Sequence, residues 1–281
     1  MNEFAVNIST IFTEMPFLQR FQKVRECGFS FVECQFPYEY PIERIRDELH
    51  QHQLSLVLIN LPPGNWEKGD RGLAIFPDRT DEFQRSVEEG IRYAVELNVP
   101  YIHCMAGVLP ANLDRQKAKE TYMRHLYDAA KQMANHSLTL LIEPINPFDM
   151  PNYFLTNIHE AVSMIKEIGL ANIKLQYDFY HMQRIQGNLA TTFETYFDWI
   201  AHVQIADVPG RHEPGTGEIR YEYIFRHLEK CGYKGMVGLE YIPSGRSEQS
   251  FGWRMLFSPS VEGVTQESPA FLHGERSNIG H

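Results

Sequence analysis

Leu138-Thr-Leu-Leu-Ile-Glu-Pro-Ile145, Asn157-Ile-His-Glu-Ala-Val-Ser-Met-Ile-Lys-Glu-Ile168 and Ile173-Lys-Leu-Gln-Tyr-Asp178 follow one another in this 281-residue chain. The first and third are short and largely apolar, and each carries a carboxylate near its end. The second places Ile158, Ala161, Val162 and Ile165 at helical spacing, opens on the capping residue Asn157 and stops before Gly169. Strand, helix and strand in this order imply parallel pairing, because a parallel neighbour is reached only through a crossover.

The same unit recurs outward in both directions. Strands are predicted at Phe4–Ser9, Phe31–Phe36, Ser55–Leu61, Tyr101–Met105, Leu138–Ile145, Ile173–Asp178, His202–Asp207 and Met236–Tyr241. Helices are predicted at Pro16–Cys27, Pro41–His52, Thr80–Leu97, Asp114–Asn135, Asn157–Ile168, Asn188–Ile200, Tyr221–Lys230 and Glu248–Phe257. Eight such units point to an α/β fold closed as a (β/α)8 TIM barrel, a single domain over residues 1–257. Residues 258–281 hold Pro, Gly and few large apolar side chains, and a poorly ordered tail is expected there. An open doubly wound sheet is the alternative, but no G-x-G-x-x-G follows the first strand and no phosphate-binding G-x-x-x-x-G-K-S/T occurs. The glycine-containing loops Pro62–Arg79 and Val208–Arg220 would both lie on the C-terminal face, where barrel chemistry is found.

Composition narrows the partners. With 43% hydrophobic and 22% charged residues the chain is of ordinary globular type, and its net charge of −10 opposes nucleic acid and anionic membranes. There is no secretion signal and no run of about 20 apolar residues, so a cytoplasmic protein without membrane contact is expected, acting on a small molecule. Cys27, Cys34, Cys104 and Cys231 form no CxxC pair and read as buried thiols.

Glu143, Asp178, Gln204 and Glu240 stand at the ends of four consecutive predicted strands, flanked by apolar residues that place them in or at the mouth of the barrel. Lone carboxylates there carry a desolvation cost of several kcal/mol unless they are paired or bind a metal. Four oxygen donors without Cys suit Mg2+ or Mn2+, with a His able to replace one ligand; structural ion pairs or helix caps are the competing explanation. Three acidic ligands and a divalent cation leave a negative site. An anionic substrate then needs a nearby cation, for which Arg71, Arg79, Arg211, His181 and His212 are candidates. Arg211 ranks first because it lies between glycine-containing turns just beyond Gln204, with Arg71 second, and His181 can lean back over the site from Asp178. The orientation of His103 is open; Trp66 and Phe36 are pocket-wall candidates, Phe36 being better explained by core packing.

Asn60-Leu-Pro-Pro-Gly-Asn-Trp66, Leu141-Ile-Glu-Pro-Ile-Asn146, Tyr177-Asp-Phe-Tyr-His-Met-Gln183 and Gln204-Ile-Ala-Asp-Val-Pro-Gly-Arg-His-Glu-Pro-Gly-Thr-Gly-Glu218 resemble the hydroxypyruvate isomerases, within the xylose isomerase-like TIM barrels. The resemblance extends over about residues 2 to 255. It implies that Glu143, Asp178, Gln204 and Glu240 bind the divalent cation and that Glu143 and Glu240 also donate and accept the proton. The implied reaction interconverts hydroxypyruvate and 2-hydroxy-3-oxopropanoate (tartronate semialdehyde) through an enediolate, without a redox cofactor. A base role requires one oxygen of Glu143 or Glu240 to stay free of the ion. The segment after Trp253 departs from the family's C-terminus, which leaves the last helix and any homo-oligomer contact there outside the resemblance. Competing readings are an isomerase or epimerase of another ketose or four-carbon oxo acid, a metal-dependent endonuclease, disfavoured by the charge, and a non-catalytic sugar-acid binding protein.

Overall fold

A computed structural model of the chain describes residues 3–257. Strands β1 (Phe4–Asn7), β2 (Phe31–Cys34), β3 (Ser55–Asn60), β4 (Tyr101–His103), β5 (Thr139–Ile142), β6 (Ile173–Asp178), β7 (Ile200–Ile205) and β8 (Val237–Leu239) pair in parallel, in sequence order, and close on themselves. Helices α1 (Phe17–Glu26), α2 (Ile42–Gln51), α3 (Thr80–Leu97), α4 (Arg115–Ala134), α5 (Ile158–Ile168), α6 (Phe179–Ile185), α7 (Leu189–Tyr196) and α8 (Tyr221–Lys230) form the crossovers. Among the described residues, no helix is long and apolar enough to cross a membrane. The expected tail at 258–281 lies outside the described residues.

The expected elements recur with four differences. Strand pairing ends earlier than the apolar runs do, as at β4, where only Tyr101–His103 pair, because diverging loops leave the ladder while their side chains stay buried. The predicted helix Asn188–Ile200 divides into α7, a 3-10 turn over Phe197–Trp199 and the first residue of β7, since an apolar run does not reveal where a helix hands over to a strand. The predicted last helix is a 3-10 segment, Ser247–Phe257, and α6 occupies a stretch for which a loop was expected.

Helices pack on the outside of the sheet, where most of the buried apolar side chains lie. Inside the barrel, Ala5, Leu58 and Leu141 form a small apolar floor with the partly buried Phe31, Tyr101 and Met236. Two residues further along their strands, side chains on the same face become polar: Asn7 beyond Ala5, Glu33 beyond Phe31. Glu33 is fully buried and accepts from Asn7 Nδ2 at 3.0 Å and Gln204 Nε2 at 2.7 Å, while His202 Nε2 lies 2.8 Å from its other oxygen. A buried charge is tolerable only with such partners. Gly238 on β8 makes room for it, because a Cβ there would fall 2.4 Å from Glu33 Oε2. Gly238→Ala is therefore expected to destabilise the protein by about 1–3 kcal/mol, measured by urea unfolding; unchanged stability would mean that the carboxylate has freedom to move.

Candidate active site

Glu143 follows the end of β5, Asp178 ends β6, Gln204 is the penultimate residue of β7 and Glu240 follows β8, so all four stand at the C-terminal mouth. All four are buried. Gln176 Nε2 links Glu143 Oε2 at 3.0 Å to Gln204 Oε1 at 2.6 Å. Asn7 Nδ2 and Gln35 Nε2 donate to Glu240 Oε1 at 3.1 and 2.9 Å, and Tyr180 N–H donates to Asp178 Oδ1 at 2.8 Å. The amides thus hold each acid by one oxygen.

Glu143 Oε1 and Asp178 Oδ2 are buried with no hydrogen-bond partner among the described residues. Burial, reinforced by Asp178 and Glu240, drives the Glu143 carboxyl well above its ordinary range. Asp178 is pushed up by burial and held back by Arg211, and Glu240 is raised by burial against the same guanidinium. Ligand atoms of Glu143, Asp178 and His181 lie within 4.8 Å of one another. Two buried carboxylate oxygens without a partner, on residues whose ligand atoms lie this close together, are donors of the kind a hard divalent cation takes. At Glu240 both oxygens are engaged; at Glu143 one is free.

Arg211 is the cation that reaches this cluster. Its Nη2 lies 2.5 Å from Glu240 Oε2 and 3.7 Å from Asp178 Oδ2, and the guanidinium stands 5.0 Å from the centre of the Tyr180 ring. The backbone at Arg211 is left-handed, with φ of 55°, a conformation that costs energy for a side-chain-bearing residue. Buried Asp207 supports it. Its Oδ1 accepts the N–H groups of Val208 and Ile219 at 2.9 and 3.0 Å, and its Oδ2 those of Gly215 and Gly217, both at 2.9 Å. One carboxylate thereby folds the whole loop, and the Arg211 carbonyl, accepting from Ile242 N–H at 2.8 Å, ties it to the loop after β8.

The other candidate cations are placed differently. Arg79 is a structural clip, forked onto Asp70 at 2.7 Å and onto Glu82 at 2.8 Å. Arg71 donates to the Trp66 and Asp70 carbonyls and lies 3.7 Å above the Trp66 ring, which in turn meets Phe36 at 5.4 Å. His212 Nδ1 is bound to the Ile242 carbonyl at 2.7 Å. None of these three is joined to the four acids and amides of the site by a hydrogen bond or ion pair among the described residues. His181, on α6 instead of a loop, points its Nε2 at Asp178 Oδ2 from 3.6 Å; burial first, then the Arg211 and Arg184 charges, hold it well below the ordinary imidazole range. His103 faces inward, its Nε2 3.7 Å from Glu143 Oε2, with its pKa lowered to about 3 by burial.

The sequence profile of the Xylose isomerase-like TIM barrel family matches residues 21–271. A hydroxypyruvate isomerase of Escherichia coli K12 is 44% identical over 253 residues, covering 90% of this chain and 98% of that protein. A 2-oxo-tetronate isomerase of Cupriavidus necator is 40% identical over 253 residues, covering 90% and 97%. The crystal structure described as an AP endonuclease, family 2, from Brucella melitensis is 42% identical with a TM-score of 0.89, covering 92% and 100%. This chain belongs to the xylose isomerase-like TIM barrels. Within that family it is similar to hydroxypyruvate isomerases and 2-oxo-tetronate isomerases alike, and it is an enzyme of the isomerase class.

Several residues around these side chains were not singled out from the sequence: Asn7, Glu33, Gln35, Asn146, Gln176, His202 and Asp207. A signal existed for two of them, since Gln176 and His202 stand two residues before Asp178 and Gln204 and therefore on the same strand face. A second cluster, Glu194 with His227 and Cys231, also brings ligand atoms within 4.8 Å. There His227 Nε2 lies 3.0 Å from the Ala190 carbonyl, a pure acceptor, so this nitrogen carries its proton and offers no lone pair to an ion. It ties α8 to α7.

Asp207→Ala would strip four backbone N–H groups of their acceptor. Faster tryptic cleavage at Arg211 and Arg220, with a loss of about 2 kcal/mol or more in unfolding free energy, is expected; cleavage at the wild-type rate would contradict the role given to this carboxylate.

Proposed function

We propose that the protein is a hydroxypyruvate isomerase, interconverting hydroxypyruvate and 2-hydroxy-3-oxopropanoate. The observation that carries this reading is the pair Glu143 and Glu240, buried carboxylates from strands three apart around the ring, with Asp178 between them and the Arg211 guanidinium paired to Glu240. Such a pair can serve one carbon skeleton from two sides, one taking a proton and the other returning it.

A divalent cation held by Glu143, Asp178, Gln204 and Glu240, Mg2+ or Mn2+ by the hardness of the donors, supplies Lewis-acid polarisation of the substrate's adjacent oxygens when bound. The residues do the rest. A hydrogen on the carbon beside a ketone is too weakly acidic for an ordinary carboxylate. Burial therefore helps twice, by making Glu143 a stronger base when ionised and by strengthening every dipole aimed at the developing enediolate. The unpartnered Glu143 Oε1 is the oxygen able to take the C3 proton, or to return one, in an isomerisation that delivers hydrogen to C2. His181 directs a ring nitrogen over Asp178 and can donate to the oxygen that gains charge.

Arg211 serves the substrate's own carboxylate. Three acids and a +2 ion leave one net negative charge, which one guanidinium cancels; a planar fork then offers carboxylate recognition at a protein edge that would otherwise repel an anion. The net charge of −10 and the ion-paired arginines of the rim speak against a nucleic-acid phosphate as the ligand. A four-carbon oxo acid presents the same reacting carbons, and the 40% identity to an enzyme named for one supports it as the second reading. The composition suits a cytoplasmic enzyme.

In D2O with Mg2+ or Mn2+ present, the enzyme should exchange deuterium into C3 of hydroxypyruvate, detected by NMR. Glu143→Gln and Glu240→Gln should each slow this by about 10²–10⁴-fold without loss of the fold; a double variant that still exchanges at the wild-type rate would sink the mechanism. Arg211→Ala should raise KM for hydroxypyruvate by about 10- to 100-fold, and Arg211→Lys should already weaken binding. Steady-state kinetics on the acid and on a neutral ketose check this. Equal KM values for wild type and Arg211→Ala, or preference for the uncharged sugar, would rule out the substrate class.

A further inference from the structure

Asn146, six residues beyond Leu140 in the loop after β5, is fully buried and has every polar atom assigned by its surroundings. Its Oδ1 accepts the backbone N–H groups of Phe148 and Asp149 at 3.1 and 3.0 Å. Its Nδ2 donates to Asp149 Oδ2 at 3.1 Å and meets His181 Nδ1 at 2.7 Å. Turning the amide over would set its oxygen against a carboxylate and its NH2 against two N–H donors, so only one orientation is tenable. The Asn146 backbone N–H also points at His181 Nδ1, from 3.5 Å.

Two N–H donors aimed at one ring nitrogen require that nitrogen to hold a lone pair. The imidazole proton is then on Nε2, the atom that faces Asp178 Oδ2. We propose that Asn146 is a positioning residue that locks His181 as the Nε2–H tautomer, making it a hydrogen-bond donor toward the substrate oxygen and removing it from the cation's ligand set. The donor role rests on the function proposed above; the tautomer and the exclusion from the ligand set do not. A neutral N–H can stabilise a developing oxyanion without surrendering its proton, whereas the other tautomer would present a lone pair to that oxygen and repel it. Asp149 anchors the device in turn, since it accepts from Tyr180 Oη at 2.7 Å and from Arg184 Nη1 at 2.6 Å, both on the same short helix as His181. The sequence Asp178-Phe-Tyr-His181 thus meets Asn146 and Asp149 at two points, and α6 cannot rotate without breaking both.

Long-range 1H–15N correlation spectra of the imidazoles, in labelled protein with excess Mg2+, read the tautomer directly; the His181 signals are those missing from His181→Phe. The wild type should show the proton on Nε2. Asn146→Asp keeps the turn-forming oxygen but turns an acceptor toward Nδ1, so the proton should appear on Nδ1, and kcat should fall about 10²-fold with KM changed no more than a few-fold. Mn2+ affinity, followed by electron paramagnetic resonance, should be the same in His181→Phe as in the wild type. A wild-type proton on Nδ1 would overturn the proposal, as would an unchanged tautomer in a folded Asn146→Asp, or loss of Mn2+ binding in His181→Phe. If Asn146→Asp does not fold, the wild-type spectrum and the Mn2+ titration still decide. Wild-type kcat in His181→Phe would instead remove the donor role assigned under the proposed function and leave the tautomer assignment standing.

Discussion

Carboxylates crowded into the dry mouth of a barrel repel one another and lose their water, and the structure around Glu143, Asp178 and Glu240 is organised to offset both costs. Compensation arrives from three directions. Amide side chains below, Gln176, Asn7 and Gln35, take one oxygen from Glu143 and Glu240; a backbone N–H takes one from Asp178; Arg211 brings positive charge from above. Oxygens left over by this arrangement, Glu143 Oε1 and Asp178 Oδ2, are those with no other use in the fold. Their cost to stability is consistent with a role in binding and proton transfer.

The barrel divides the labour by height. An apolar floor of Ala5, Leu58 and Leu141 closes the interior; a polar belt centred on Glu33 and His202 sits above it; the reactive groups sit above the belt. Each layer fixes the next. Glu33 holds the Gln204 amide by its nitrogen and leaves its oxygen to Gln176 Nε2, while Asn7 spans Glu33 and Glu240. The gap at Gly238 that admits Glu33 belongs to this design, because filling it would displace the belt and everything resting on it.

Loops contribute what strands cannot: charge and hydrogen-bond donors aimed inward from the rim. They are held by polar atoms, not apolar packing alone, and the two supports are alike in kind. Asp207 gathers four N–H groups of the loop after β7 and presents Arg211; Asn146 gathers two N–H groups of the loop after β5 and presents His181. A side chain that satisfies its own loop spends no conformational freedom at the moment of binding.

Strand-end carboxylates, the eight-fold alternation and the helix starts and stops were legible in the linear chain because each is a local pattern: period-two burial, helical spacing, a capping Asn, a stopping Gly. Local patterns also ranked Arg211 ahead of Arg71 and Arg79. They could not show that Arg79 is consumed by Asp70 and Glu82, that α6 interrupts an expected loop, or that the helix after β7's predecessor ends one turn short of Ile200. Glu33 and Gly238 are 205 residues apart in number, and Asn146 and His181 are separated by a whole strand and helix, so no spacing rule connects them. By itself the sequence determined the fold class and the four residues at the mouth, since strand alternation fixes which side chains face inward. Tertiary structure alone decided which oxygens are free, which cation reaches them and which nitrogen of His181 bears the proton, because hydrogen-bond partners across a closed barrel are set by proximity in space and not by distance along the chain.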